Sequence, residues 1–425
     1  MPAGSVSQNI ASQIEYIRKD LEELVLLQGV LRKRISKSTD IKAISNRPAR
    51  IPFNVLTGGL FRTGAALFDG NDLGRGSAPT ETFGNLSAIP FVQASEYTSL
   101  SEFSTDSTEK AIENYVTLTN RQATETYAGY MDALYANSTG ANDLDTVVSV
   151  SGNEIVVNNA DIFQDNQIVD IWTAIGGTFL GSWQIQSIDS SNTALWGTVA
   201  PPVGTVAGCV LMVTGSSGQA NSGIPGILSY HVGTNTGNFM GIPRSAFPGK
   251  FATPYVSPGG AAATGPLTPA NVRAMLNQMK LAMGADTDET EFVVHGNVDT
   301  QAAWENNALP VQTIIYNELK GDNSADMLKK NMPTAIAGRE FLLNVRAKPG
   351  RIDGLNLKHW FRLETKALDL HEVGGQTLFP IYGASGGLNS SQIFYYEAME
   401  TLGLGQPRRD CYMPSITIPP RYFGH

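Results

Sequence analysis

Residues 106–140 read DSTEKAIENYVTLTNRQATETYAGYMDALYANSTG, and this stretch decides the fold. Asp106 with Glu109 makes a capping-box-like start. Ile112, Tyr115, Val116, Thr119, Ala123, Tyr127, Tyr130, Met131 and Leu134 then hold one face of a single helix for about eight turns. Asn137-Ser138-Thr139-Gly140 ends it. The rest of the chain is placed by whether it comes before or after this helix.

Upstream, Ile10, Ile14, Ile17, Leu21, Leu24, Gln28, Leu31 and Ile35 alternate spacings of four and three, an a/d stripe with one polar residue at Gln28. The plain reading is an amphipathic helix lying on a neighbouring domain. The sharper reading is an assembly helix that docks on a second molecule through Ile10, Ile14, Ile17, Leu21, Leu24 and Leu31. Either way it needs a partner surface, because too little chain accompanies it to make a core. Its C-terminal part is basic: Gln28–Arg50 holds Arg32, Lys33, Arg34, Lys37, Lys42, Arg47 and Arg50 against Asp40 alone. Arg32, Lys33, Arg34, Lys37 and Lys42 could be solvated, or could face a packaged polyanion, where many copies would add up electrostatically.

Between this arm and the helix, Gly59–Phe68 and Thr80–Tyr97 have strand character and flank a turn-rich tip running from Asp69 to Pro79. An excursion of about 50 residues with few apolar anchors is unusual inside a compact domain. A long hairpin that packs on other subunits explains it, with Arg62, Phe68 and Arg75 as candidate contact residues.

Downstream, composition changes at Leu144. Short β-branched runs (146–150, 155–157, 167–172, 183–188, 194–199 and 209–213) alternate with Gly, Asn, Ser and Pro turns, predicting a small barrel or sandwich over 144–216. Its first half, Val148–Ile171, weakly echoes Ile185–Val213, as a duplicated motif would. Gly215-Ser-Ser-Gly closes it like a linker. Beyond Gly223 the pattern is mixed α/β. Thr268-Pro269 starts a helix that buries Val272, Met275, Leu276, Met279 and Met283. Strands are predicted at Phe292–His295, Glu340–Arg346, Trp360–Leu370 and Ser415–Ile418, short helices at Val298–Asn307 and Val311–Lys320, and either state at Gln392–Thr401.

The totals exclude more than they assign. A chain of 425 residues with 42% hydrophobic content supports two or three cores, yet only 16% of it is charged. The net charge is −9; residues 1–50 carry nine basic and five acidic groups, so the remainder carries −13. Two cysteines, Cys209 and Cys411, make no disulfide framework and no metal spacing. No leader pattern and no apolar run of membrane length are visible, so a soluble cytoplasmic origin is expected. Gly383–Gly387 matches G-x-S-x-G, but only His425 follows it, and a glycine-rich loop is the better reading. Asp69–Asp72 is an acid-rich turn without the distal ligand of a calcium loop. No catalytic, metal or cofactor site is expected, and the chain is read as a non-enzyme.

The order of these elements resembles the HK97-type capsid fold shared by tailed-phage major capsid proteins and encapsulins. The resemblance rests on element order over nearly the whole chain, not on one motif. It implies an α+β fold with an N-terminal arm (1–52), an extended loop (53–103), a spine helix (104–143), an inserted β-barrel (144–216), and an axial domain with returning peripheral strands (217–425). It implies a shell subunit forming hexamers and pentamers around double-stranded DNA in a virion assembled in a bacterial cytoplasm, with scaffolding, portal and decoration proteins as further partners and no membrane. An encapsulin-like compartment and an extracellular β-rich adhesin are the alternatives. Some members of the family weld their shells through a lysine on the extended loop. Residues 51–109 here contain Arg62 and Arg75 but no lysine, so a non-covalent shell is expected.

Overall fold

The computed structural model describes residues 29–38, 48–59, 75–98, 109–189, 193–260, 263–283, 291–307, 335–336, 338–382 and 388–419. In the arm a short helix, α1 (Val30–Arg34), buries Leu31 within the chain's own core. Ile10, Ile14, Ile17, Leu21, Leu24 and Lys42 lie outside the described residues.

Strands β1 (Ala49–Leu56) and β2 (Thr80–Leu86) form a two-stranded antiparallel ribbon, registered from Ala49↔Leu86 to Leu56↔Thr80 and continued by a bridge between Gly59 and Ser77. The strand expected at Gly59–Phe68 lies, but for Gly59, outside the described residues; β1 precedes it and spans the 52/53 boundary. Pro52 hid it from the sequence reading. In a two-stranded sheet both strands are edges, so a residue without an N–H is tolerated there. Arg62 and Phe68 lie outside the described residues; Arg75 is exposed near the ribbon's far end. The single strand expected at Thr80–Tyr97 is two. The chain breaks at Ser87-Ala88, and β3 (Ile89–Thr98) leaves the ribbon for another sheet.

The spine helix, α2, runs from Glu109 to Asn137. Of its predicted apolar face, Ala123, Tyr127, Met131 and Leu134 are buried. Its end is tied down twice: Asn137 Nδ2 donates to the Arg346 carbonyl (2.6 Å), and the Asp143 carboxylate accepts from the Thr139 amide (2.8 Å).

Six strands then close a barrel in the order β4-β5-β8-β7-β6-β9, where β4 is Asp143–Ser151, β5 Glu154–Val157, β6 Ile168–Trp172, β7 Phe179–Ile188, β8 Ala194–Gly197 and β9 Val210–Val213. All six predicted strands are present. Inward-facing Ile155, Val169, Ile171, Trp183, Ile185, Leu195 and Leu211 fill it, as alternation along closed strands requires. The pairing is unchanged when β4, β5 and β6 are exchanged for β7, β8 and β9, so the weak echo between the two halves has a counterpart in the topology. The segment after β9 is no loose linker. Gly215 N donates to Asp170 (2.7 Å), and Gly218 lies against the Trp172 ring, where a Cβ would come within 2.6 Å. The chain leaves the barrel later, where Gly223 N bonds the Gly140 carbonyl and Ile224 N bonds Asn142 Oδ1 (both 2.8 Å). Entry and exit therefore lie side by side.

The remaining chain builds two sheets, after a short helix α3 (Ile227–Tyr230) and a tiny β10–β11 hairpin (Asn238–Phe239, Ile242–Pro243). One sheet has the order β13-β14-β12-β15-β19, with β12 (Phe292–Gly296) parallel to β14 (Arg339–Leu343) and antiparallel to β15 (Ile352–Asn356). Its edge strands are β13 (Ala335–Ile336) and β19 (Cys411–Met413). Helix α4 (Pro269–Met283) covers it with the five predicted residues, all buried beside Phe292, Val294, Ile352 and Met413. A further helix, α5, spans residues 298–307. The other sheet centres on β18 (Leu388–Leu404), flanked on one side by β3 and on the other by β16 (Trp360–Leu370) and β17 (Phe379–Tyr382). Residues 392–401, open between helix and strand in the sequence, are strand. Ser415–Ile418 is not: Ser415 takes a positive φ of 60°, and only Ile416 bridges, to Gly265. Residues 311–320 and 383–387 lie outside the described residues.

Candidate functional site

The charged chemistry of the chain is concentrated where the arm meets the spine and the β18 sheet. α1 begins at Gly29, which has no side chain to cap the helix. The cap comes from the spine instead: the Leu31 amide donates to the buried carboxylate of Asp132 (3.2 Å). One residue on, Arg32 grips Glu400 of β18 with both ends of its fork, Nε–Oε1 at 3.2 Å and Nη2–Oε2 at 3.2 Å. Burial disfavours the guanidinium, but the Glu400 charge beside it more than offsets this and holds the Arg32 pKa above its ordinary value.

The pairing register explains the need for this cation. Glu364 of β16 sits directly opposite Glu400 of β18, a like-charge pair that opposes strand association. Arg362 Nη2 bonds Glu364 (3.2 Å) and its Nη1 lies 3.8 Å from Glu400, while Lys37 reaches Glu364 from the arm (3.3 Å). Tyr127 of the spine donates its hydroxyl to Glu400 (3.4 Å). The backbone follows: Ser38 N bonds the Arg362 carbonyl and Arg362 N the Ser36 carbonyl (both 2.9 Å), so the arm adds a parallel rung to β16. Arg34 pairs with Glu340 of β14. Arg32, one of the arm cations read as either solvated or facing a polyanion, is buried, and its charge holds the arm to the rest of the chain. Arg34 and Lys37 also have partners within the chain; Lys33 is exposed. Leu31 likewise packs within the chain's own core.

A second buried cluster locks the two sheets together. His231, at the end of α3, lies between Asp353 of β15 (Nδ1–Oδ1 2.8 Å) and Asp410 (Nε2–Oδ2 3.3 Å). Asp410 also accepts from the Asn356 amide and the Trp360 indole (2.8 Å each). Arg351 bonds Asp353 alone (2.7 Å) and lies over the Tyr412 ring. Burial disfavours the imidazolium, but the two carboxylates outweigh it and raise the His231 pKa. Burial alone would raise both acids. It prevails at Asp410, whereas Arg351 and the histidines pull Asp353 well below the usual range. Both ring nitrogens of His231 are taken by carboxylates, so neither is available to activate a nucleophile. The arrangement can hold strands together. Among the described residues no group of His, Cys, Asp and Glu side chains could hold a metal ion, and no helix is long and apolar enough to cross a membrane.

Neither cluster was visible in the sequence. Arg32 and Glu400 stand 368 positions apart, and no local spacing announces such a pair.

No protein-family model matches the chain, and no curated protein matches it in sequence. Solved structures do. The capsid asymmetric unit of cyanophage A-1(L) aligns over 92% of this chain and 93% of that one, with a TM-score of 0.54 and 11% identity. The capsid of the native GTA particle aligns over 92% and 91% (TM-score 0.46, 12% identity), and that of Myoviridae phage XM1 over 91% and 91% (0.42, 10%). At this identity the likeness to the cyanophage protein is one of fold. The chain has the phage capsid fold, mixed α/β with few helices, along nearly its whole length.

Proposed function

We propose that the chain is a major capsid protein, self-assembling into hexamers and pentamers of an icosahedral head around double-stranded DNA. The observation that carries this is the alignment of almost the entire chain with almost the entire cyanophage capsid subunit. Local physics agrees. The β1–β2 ribbon packs one face on the chain's own core but leaves Leu56 and Phe83 exposed, apolar surface that a neighbouring subunit would cover. The encapsulin and adhesin alternatives gain nothing from any of these observations.

In this reading the barrel is an inserted domain, since the chain enters and leaves it at adjacent points. It lies on the outer face. Between Arg121 and Arg244 there is no lysine or arginine, while acidic residues recur up to Asp189, and such a segment avoids packaged DNA. Non-specific DNA contact falls to the basic arm, through exposed Lys33 and through Lys42, which lies outside the described residues. Scaffolding, portal and decoration proteins would be partners during assembly in the host cytoplasm. Sedimentation of the purified protein under assembly-promoting conditions tests the proposal. Capsomers and closed shells are expected, and a monomer that persists at high concentration contradicts it.

A further inference from the structure

His295 of β12 is 1% exposed, yet neither of its ring nitrogens has a hydrogen-bond partner among the described residues. Alternation along the strand sends Val294 to the α4 side of the sheet. Val293 and His295 point the other way, toward the core that Met131 and Leu134 of the spine share. Asp353, the register partner of His295 on β15, holds Oδ2 3.9 Å from the imidazole Nδ1, just beyond hydrogen-bond length. The buried carboxylate of Asp132 interacts with the same imidazole from the spine.

Each of these acids already holds something. Asp353 is shared with His231 of α3 (2.8 Å) and Arg351 (2.7 Å). Asp132 accepts the Leu31 amide and so caps α1 of the arm. Burial works against the Asp132 carboxylate, and the Leu31 amide, His295 and Arg346 work for it. A neutral imidazole has a single N–H and can donate to one of the two acids. An imidazolium has two and can donate to both.

We infer that His295 is a proton-operated latch between the spine and the β12–β15 sheet, bonding Asp353 through Nδ1 and Asp132 through Nε2 once it is charged. Closing the gap to Asp353 takes a side-chain movement of about 1 Å. Because Asp132 caps α1, the latch sets how firmly the arm is docked, and the docking tightens as pH falls. Histidine is the side chain suited to this, since it changes charge near neutral pH. The latch belongs to the single subunit, whatever that subunit assembles into.

The test is amide hydrogen exchange over residues 29–38 of the full chain, corrected for the intrinsic rate, at about pH 8 and about pH 5.5. In the wild type, exchange should slow about tenfold or more at the lower pH. In His295→Gln, which keeps His231, that slowing should vanish. Asp132→Asn is the second variant: it keeps an acceptor for the Leu31 amide but not the charge, and it should lose the slowing too. A pH response that persists undiminished in either variant, or is absent from the wild type, overturns the latch.

Discussion

Arg32 shows how much one side chain settles. Glu400 is buried opposite Glu364, and without Arg32 the cation left beside it among the described residues is Arg362, at 3.8 Å. Arg32→Ala should therefore destabilise the subunit by about 3–5 kcal/mol, the usual result of stranding one partner of a buried ion pair. Arg32→Met combined with Glu400→Leu should recover most of the loss. Denaturant unfolding of the three proteins reads this directly; unchanged stability in Arg32→Ala would return Arg32 to the solvent or the DNA. His231 makes a pH prediction. Its folded pKa lies above the ordinary 6.5, so its contribution is complete below that value and is lost as pH rises through the folded pKa. Asp353 has the opposite sense: its contribution is present above 3.8 and is lost as pH falls. The stability gap between wild type and His231→Gln should be wide near pH 6 and narrow at high pH; a gap independent of pH contradicts the pairing. In the barrel, a Cβ on Gly197 would fall 2.5 Å from the Trp183 ring, so Gly197→Ala should lower the melting temperature.

At the scale of elements, legibility followed locality. Helix α4 was visible because Val272, Met275, Leu276, Met279 and Met283 repeat at helical spacing and Pro269 marks the first turn. The barrel strands were visible because each is a short β-branched run between turns. β18 was ambiguous since Ile393–Thr401 mixes aromatics with Glu, Ala and Met, and only its pairing with β3 and β16 decides its state. The break between β2 and β3 was invisible for a related reason, as both halves have strand character and differ only in their partners. At the barrel's base, Gly223 and Ile224 bond back to residues 140–142, beyond Gly215. The fragment 138–226 should accordingly give a β-type circular dichroism spectrum with a cooperative melt, and 144–216 a lower melting temperature, lacking Asp143 and the exit bonds. Random-coil spectra from both would show that the barrel depends on the spine.

At the scale of the molecule, the long-range clusters carry the architecture, and a single sequence gives no sign of them. What the sequence did show was element order, and that order was enough to expect the fold found along nearly the whole chain. Cohesion between subunits is a separate matter. With no lysine from 51 to 109 and both cysteines buried, particles boiled in SDS without reductant should run as one band at 45.6 kDa. A ladder of covalent oligomers would mean that another nucleophile welds the shell. The central claim, that this chain builds a capsid, is tested most directly by a negative-stain micrograph of the purified full-length protein. Closed polyhedral shells of uniform size are expected, with free hexamers and pentamers beside them. A field of dispersed single subunits, under conditions where the protein is folded and concentrated, would contradict it.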